Sequence, residues 1–223
     1  MSGGAKSSEV VAGSREDFAT GAKKRVAVLI SGRGSNMAAL IEAAEAPGFP
    51  AEIVLVLSNK ADAGGLAIAA RNGIETLVID HKPFGKDRAA FDAAMQAALE
   101  AHGVEIVCLA GFMRIMTDDF VNGWFGRMIN IHPALLPLFK GLDTHARALE
   151  AGVKLHGCTT HFVTPGMDEG PIIAQAAVPV LNDDTEATLA ARVLKEEHRI
   201  YPETLRLLAS ERLRIEGQRV RVV

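Results

Sequence analysis

A chain of 223 residues that is 48% apolar and only 5% aromatic has enough material for one α/β domain with an Ala-, Gly-, Val- and Leu-rich interior. Its formal net charge of −3 gives no support for nonspecific nucleic-acid binding, which needs a basic surface that releases counterions. Two cysteines, Cys108 and Cys158, lie in apolar runs without CxxC spacing; they read as reduced core thiols, and no zinc site is expected.

Residues 1–24 are small, polar and mixed in charge. They lack the apolar stretch of a signal peptide, and Glu9, Glu16 and Asp17 argue against a transit peptide. A flexible extension is expected there, followed by one domain over residues 25–223. No apolar run approaches the length of a bilayer span, so a soluble, cytoplasmic protein without a membrane partner is expected.

From Arg25 onward strands and helices alternate. Val26-Ala27-Val28-Leu29-Ile30 is apolar without alternation, the pattern of a buried parallel strand. Ser31-Gly32-Arg33-Gly34-Ser35-Asn36 follows and opens a helix over residues 37–46. Gly32 and Gly34 match the start of a dinucleotide fingerprint. Its third glycine is replaced by Met37, and no acidic residue stands some twenty positions on, around Ser58. A tight glycine turn feeding a helix N-terminus remains. That geometry suits one terminal phosphate, and equally a plain strand-to-helix turn with Ser35 as N-cap.

The spacing then predicts a strand over 53–57, a helix from Gly64 to the stop at Asn72-Gly73, and a strand over 76–79. A helix over 87–101 ends at His102-Gly103. A strand over 106–110, a short helix from Thr117 and a strand over 128–131 follow. This rhythm predicts a doubly wound, mostly parallel sheet with right-handed crossovers. In such sheets ligands bind at the carboxyl ends of the strands, near a switch in strand order.

Asn130 interrupts the last of these strands with an amide, and His132 shares its face of the pleat. Pro133 ends the strand. The amide can stabilise an oxyanion and the imidazole can move a proton near neutral pH; the pair also suits a buried Asn and His that tie down the Pro-rich loop. Beyond Pro137 a short helix over 142–151 carries His145, expected to fix a loop by hydrogen bonding. Strands over 157–163 and 172–180 form a hairpin. Its long connection, Thr164-Pro165-Gly166-Met167-Asp168-Glu169-Gly170-Pro171, exceeds what a turn needs and reads as a lid or binding loop.

The last long helix is expected to open on a capping box, Asp183-x-x-Glu186. Its apolar stripe runs Leu189, Val193, Glu197, Ile200, and a carboxylate there is costly unless it meets a partner or ligand. Arg88 holds a similar place, one turn before Phe91, Met95 and Leu99. Residues 212–215 and 219–222 form a C-terminal hairpin around Glu216-Gly217.

Six motifs occur in register: Ser31-Gly-x-Gly-Ser-Asn36, Leu109-Ala-Gly-Phe-Met-Arg-Ile115, Asn130-Ile-His-Pro133, Leu135-Leu-Pro137, His161-Phe-Val163 with Asp168 and Gly170-Pro171, and Glu197-His198 with Tyr201-Pro202. Together, from residue 25 to the C-terminus, the chain resembles the folate-dependent phosphoribosylglycinamide formyltransferases of purine synthesis. The resemblance implies transfer of a formyl group from 10-formyltetrahydrofolate to the amine of glycinamide ribonucleotide, by a monomer or homodimer and without a metal. It implies a catalytic trio of Asn130, His132 and Asp168. Asn130 would stabilise the oxyanion and His132 would handle the proton that reaches the departing folate nitrogen. Asp168 would orient the imidazole and favour its cationic form. Gly34, Ser35 and Asn36 would hold the phosphate, and Glu197 the ribose hydroxyls. Arg88, Met113, Arg114, Ile115, Met116, Asn130, Thr164, Pro165, Gly166, Met167 and Asp168 would hold the folate.

Departures are few. Arg33 could add a cation near the phosphate, residues 138–140 and Asp143 lie where family members vary, and residues 1–24 fall outside the match. A methionyl-tRNA formyltransferase would need an extra basic C-terminal domain, and a formyltetrahydrofolate hydrolase a regulatory domain ahead of the first strand. A non-catalytic nucleotide-binding α/β module would explain the glycine turn but not Asn130, His132 and Asp168 together.

Overall fold

The computed structural model describes residues 22–223. Residues 1–21 of the expected extension lie outside that range, and its last member, Lys24, is already the first residue of a strand. The chain runs β1 (Lys24–Ile30), α1 (Ser35–Glu45), β2 (Ala51–Ser58), α2 (Gly64–Arg71), β3 (Glu75–Val78), a 3₁₀ turn (Lys82–Phe84), α3 (Arg88–Ala101), β4 (Ile106–Leu109), α4 (Asp118–Gly123) and β5 (Met128–His132). It continues through α5 (Thr144–Glu150), β6 (Leu155–Phe162), β7 (Ile172–Pro179), α6 (Glu186–Ala209), β8 (Leu213–Glu216) and β9 (Arg219–Val222).

One nine-stranded sheet results, in the order β3-β2-β1-β4-β5-β6-β7-β9-β8. The first five strands pair in parallel; β6 runs antiparallel to both β5 and β7. After β3 the chain returns to the other side of β1. The carboxyl ends of β1 and β4 therefore flank a switch point, where an open parallel sheet leaves a crevice.

The continuous apolar run of β1 is buried on both faces because successive side chains alternate. Val26, Val28 and Ile30 join Met37, Leu40 and Ile41 of α1 and Leu189, Val193, Ile200 and Tyr201 of α6. Ala27 and Leu29 pack on the other face with Phe91, Met95 and Leu99 of α3 and Trp124 beyond α4. Tyr201 is fully buried, and its Oη lies 2.9 Å from the Leu109 carbonyl and 3.2 Å from that of Ile129. A single hydroxyl thus ties β4 to β5 one residue short of Asn130. On the opposite face Trp124 Nε1 donates to Gln96 Oε1 at 2.8 Å.

Three local expectations need correction. Gly34, with φ +77°, is the N-cap of α1, and Ser35 is its first helical residue. The capping box of α6 is Thr185 with Thr188, each side chain bonded to the other's backbone N–H; Asp184 instead binds Arg192 at 2.7 and 2.8 Å. That leaves Glu186 in the first turn, where a carboxylate suits the helix dipole. Arg88 is exposed and opens α3 behind its cap Asp87, so the buried stripe starts one turn later, at Phe91. Among the described residues no helix is long and apolar enough to cross a membrane.

Candidate active site

β5 delivers Asn130 and His132 to the same side of its carboxyl end. Pro133 stops the ladder, and the departing loop is pinned from β6 and β7. Thr159 Oγ1 donates to the Ala134 carbonyl at 2.6 Å and accepts from Leu136 N at 3.0 Å, and Gln175 Nε2 donates to the Leu136 carbonyl at 2.8 Å. Held this way, the loop turns back over the strand end at Phe139, whose φ is +53°. The Phe139 carbonyl lies 3.0 Å from His132 Nε2.

The β6–β7 loop supplies Asp168, also left-handed at φ +53°. Its Oδ2 accepts from Gly141 N at 2.8 Å and stands 3.4 Å from His132 Nδ1. Both side chains are largely withdrawn from water, 6% exposed for His132 and 13% for Asp168, so their attraction is less screened than on the surface. Both ring nitrogens of His132 therefore face acceptors, and a neutral imidazole satisfies one of them at a time. An exposed bridge from Lys140 Nζ to Glu169 Oε1, 2.9 Å, joins the same two loops at their outer edge.

His161 is the residue that sequence reasoning left without a task. In the antiparallel register it stands opposite Asn130, and Asn130 Nδ2 lies 3.1 Å from His161 Nε2. Burial pushes the His161 pKa down, against the Phe162 carbonyl and Asp168, which push it up. The neutral ring donates from Nδ1 to the Phe162 carbonyl at 2.9 Å, which leaves Nε2 as the acceptor for Asn130. The 3.7 Å approach of Asp168 Oδ1 to that same Nε2 is then no ion pair. This arrangement fixes which way the Asn130 amide faces and keeps its second N–H free.

At the carboxyl end of β1, Gly34 caps α1 without a side chain. The first intrahelical bond is Ala38 N to the Gly34 carbonyl, so the N–H groups of Ser35, Asn36 and Met37 lack helical partners. A Cβ on Gly34 would stand 2.7 Å from Gly65 Cα, closer than real Cβ atoms come to backbone. Asn36 Nδ2 donates to Glu197 Oε2 at 2.6 Å, across 161 residues of sequence. Glu197 is only 6% exposed; burial raises its pKa, and the Asn36 amide opposes that. The structure thus brings Gly34, Ser35, Asn36 and Glu197 together. Arg33 is exposed.

Of the remaining predicted residues, Met113 is anchored by its N–H to Ser31 Oγ at 2.8 Å, and its side chain is exposed like that of Ile115. Met116 is buried, and the Arg114 guanidinium lies 5.9 Å over the Phe91 ring. Arg88 opens the helix that carries Phe91. Residues 164–167 lead to Asp168, with Met167 exposed near Gly141. His145 bonds through Nδ1 to His156 Nε2 at 3.2 Å, and the His156 ring packs edge-on against Phe139. Burial, then the neighbouring His145, lowers the His156 pKa to about 4.

Residues 24–205 match the formyl transferase family. The chain is 52% identical over 202 residues to the trifunctional purine biosynthetic protein adenosine-3 of Bos taurus, covering 90% of this chain and 20% of that protein. It therefore spans about a fifth of the length of this relative. It is 43% identical over 202 residues to the phosphoribosylglycinamide formyltransferase of Escherichia coli strain K12, covering 87% of this chain and 95% of that one. The crystal structure of glycinamide ribonucleotide transformylase 1 from Symbiobacterium toebii superposes with a TM-score of 0.89 at 49% identity, covering 94% of this chain and 98% of that one. A strand-end amide and imidazole, a facing loop carboxylate and a helix start capped by glycine without a side chain thus stand in a chain that belongs to the phosphoribosylglycinamide formyltransferase family.

Proposed function

We propose that this chain transfers a formyl group from 10-formyltetrahydrofolate to the amine of glycinamide ribonucleotide, in the cytoplasm, as a step of purine synthesis. The observation that carries this reading is the convergence of Asn130, His132 and Asp168 at the end of β5. Residues 34–36 hold the phosphate on the α1 N-terminus, and Glu197 accepts from the ribose hydroxyls. Arg88, residues 113–116 and residues 164–168 hold the folate.

The substrate amine attacks the formyl carbon and the carbonyl oxygen becomes an oxyanion. The second N–H of Asn130, left free by His161, stabilises that charge. The attacking amine must lose a proton and the folate nitrogen must gain one before the carbon–nitrogen bond breaks. His132 carries it, exchanging its Phe139 carbonyl partner for the departing nitrogen, while Asp168, 3.4 Å from Nδ1, keeps the ring oriented. The products are the formamide and tetrahydrofolate.

A formyl-transfer assay comparing glycinamide ribonucleotide with other amine acceptors tests the reading. Turnover with glycinamide ribonucleotide alone is expected. Formate release without an acceptor would make the protein a hydrolase, and binding without turnover would make it a nucleotide-binding module.

A further inference from the structure

Ser31, Asn59 and His81 carry polar side chains for which the reaction above has no use, and the first two tie three strand ends together. Ser31 follows β1, Asn59 follows β2, and Met113 stands in the irregular segment after β4. Ser31 Oγ donates to Asn59 Oδ1 at 2.6 Å and accepts from Met113 N at 2.8 Å. Both side chains are buried, Asn59 with 1% of its surface exposed. The other end of that amide, Nδ2, lies 3.2 Å from Nδ1 of His81, which caps the 3₁₀ turn. The Asn59 carbonyl stands 3.1 Å from the same Nδ1; a bare Nδ1 accepts from the amide, and a protonated one donates to the carbonyl.

The bond to Met113 matters because the segment has so few others. Ala110 N still bonds the Leu29 carbonyl at 2.9 Å, and Thr117 N is held by Asp92 Oδ2 at 2.6 Å. Between those two, among the described residues, the bond from Met113 N to Ser31 is the only hydrogen bond that residues 111–116 make. A hydroxyl has one proton to give. Asn59 Oδ1 takes it, so a lone pair of Ser31 is left to face the Met113 N–H. Ser31 is also the residue that enters the Gly32-Arg33-Gly34 turn. One buried hydroxyl therefore joins the turn assigned to the phosphate to the segment assigned to the folate. We propose that Ser31 and Asn59 are positioning residues for formyl transfer: Ser31 sets where the 113–116 segment stands, and Asn59 aims the Ser31 hydroxyl. Neither needs to touch a substrate. This rests on the folate-dependent reading above.

The experiment measures steady-state constants for Ser31→Ala, Asn59→Ala and the double variant. Loss of one hydrogen bond should raise KM for 10-formyltetrahydrofolate about five- to tenfold in Ser31→Ala. KM for glycinamide ribonucleotide and kcat should stay nearly constant. Asn59→Ala should shift the same constant in the same direction. The double variant should cost no more than Ser31→Ala alone, because Asn59 acts through Ser31. A merely structural role would lower stability without separating the two KM values. Amide hydrogen exchange in the unaltered protein gives a second measurement that needs no variant to fold. Corrected for intrinsic rates, Met113 N–H should exchange about tenfold or more slower than the unbonded N–H groups of Gly111 and Phe112. An unprotected Met113 amide, an unchanged donor KM in folded Ser31→Ala, equal rises in both KM values or additive losses overturns the positioning pair and leaves the proposed function standing. Absence of turnover in the unaltered protein overturns both.

Discussion

At the carboxyl end of β1 the chain turns on a glycine that touches backbone, while at the carboxyl end of β5 two loops close on each other through side chains. The first region is held backbone to backbone: Gly34 faces Gly65 Cα, and Gly65 N bonds the Gly32 carbonyl at 3.0 Å. The second rests on residues that pay for awkward backbone with contacts. Phe139, Asp143 and Asp168 all have φ near +55°, a conformation that costs a residue with a Cβ on the order of 1 kcal/mol or more. What offsets it is the set of bonds from Phe139 to His132, Gly141 to Asp168 and Lys140 to Glu169. A binding end can be rigid, because a phosphate does not change shape. In the mechanism we propose, an acid–base end must let His132 change partners. Damage should therefore appear as lost affinity at the turn and as lost rate at the loops.

The largest effect is expected at Asp168. Asp168→Asn keeps the size and removes the charge, and kcat should fall by about 10²–10⁴, the usual contribution of a positioned acid–base. Adding His132→Ala should cost little more, because groups acting as a unit are non-additive. Fully additive losses in the double-variant kinetics would mean that Asp168 only shapes its loop. Next comes Asn130→Ala, which removes one oxyanion donor and should lower kcat by about 10²–10³ at nearly constant KM. If KM carries the change, Asn130 is a ground-state binder and the contrast between the two ends weakens. Gly34→Val should do the reverse, raising KM for glycinamide ribonucleotide about tenfold or more, as expected for a loss above ~1.4 kcal/mol. KM for the folate should stay put. Equal loss of both affinities in a folded protein would break the comparison at its binding end.

Acid–base linkage should separate the regions by sign. Burial raises the Glu197 pKa above its ordinary 4.5, so the fold favours the protonated form, and stability is lost as pH rises through the raised value. Burial lowers the His156 pKa from 6.5 to about 4, so stability is complete above 6.5 and is lost as pH falls towards 4. Denaturant unfolding against pH should show Glu197→Gln flattening the first slope and His156→Asn the second. Matching signs in the two variants would refute this assignment. The smallest effect belongs to Glu169→Gln. The bridge to Lys140 is exposed, and its loss should cost less than about 1 kcal/mol of stability. A much larger drop, read from the same denaturant curves, would make that bridge the main tie between the loops.

How much of this was legible depended on how local the signal was. The parallel half announces itself, since Val26–Ile30 has no polar residue and its helices end at Asn72-Gly73 and His102-Gly103. Thr185 was missed as a cap because Asp183, two residues earlier, offers an equally good box with Glu186; only the pairing of Asp184 with Arg192 decides between them. Leu138-Phe139-Lys140 carries no mark of a left-handed residue, since nothing in the phenyl group favours that backbone. His161 could be quoted within a motif, yet its task depends on standing across from Asn130, 31 positions away. Register between distant strands has no local signature. The partnership of Asn36 with Glu197 was half visible, as a carboxylate on an apolar stripe, while the amide that meets it lies at the other end of the chain.

The burial of Tyr201 and Trp124 has an optical consequence. The chain holds one tyrosine and one tryptophan, and the sheet puts them on opposite faces, Tyr201 under α6 and Trp124 beside α3. Each layer thus carries its own chromophore without any label. Red-edge excitation makes Trp124 the sole emitter, and its indole, stacked 4.6 Å from the Arg127 guanidinium, reports when the α3 side opens. The near-ultraviolet absorbance of Tyr201 reports the α6 side, where the loss of its bonds to Leu109 and Ile129 would also free the strand end that carries Asn130. Coincident denaturation curves for the two signals are expected of one cooperative unit; a tyrosine signal that moves first would show the α6 face loosening while the other remains shut.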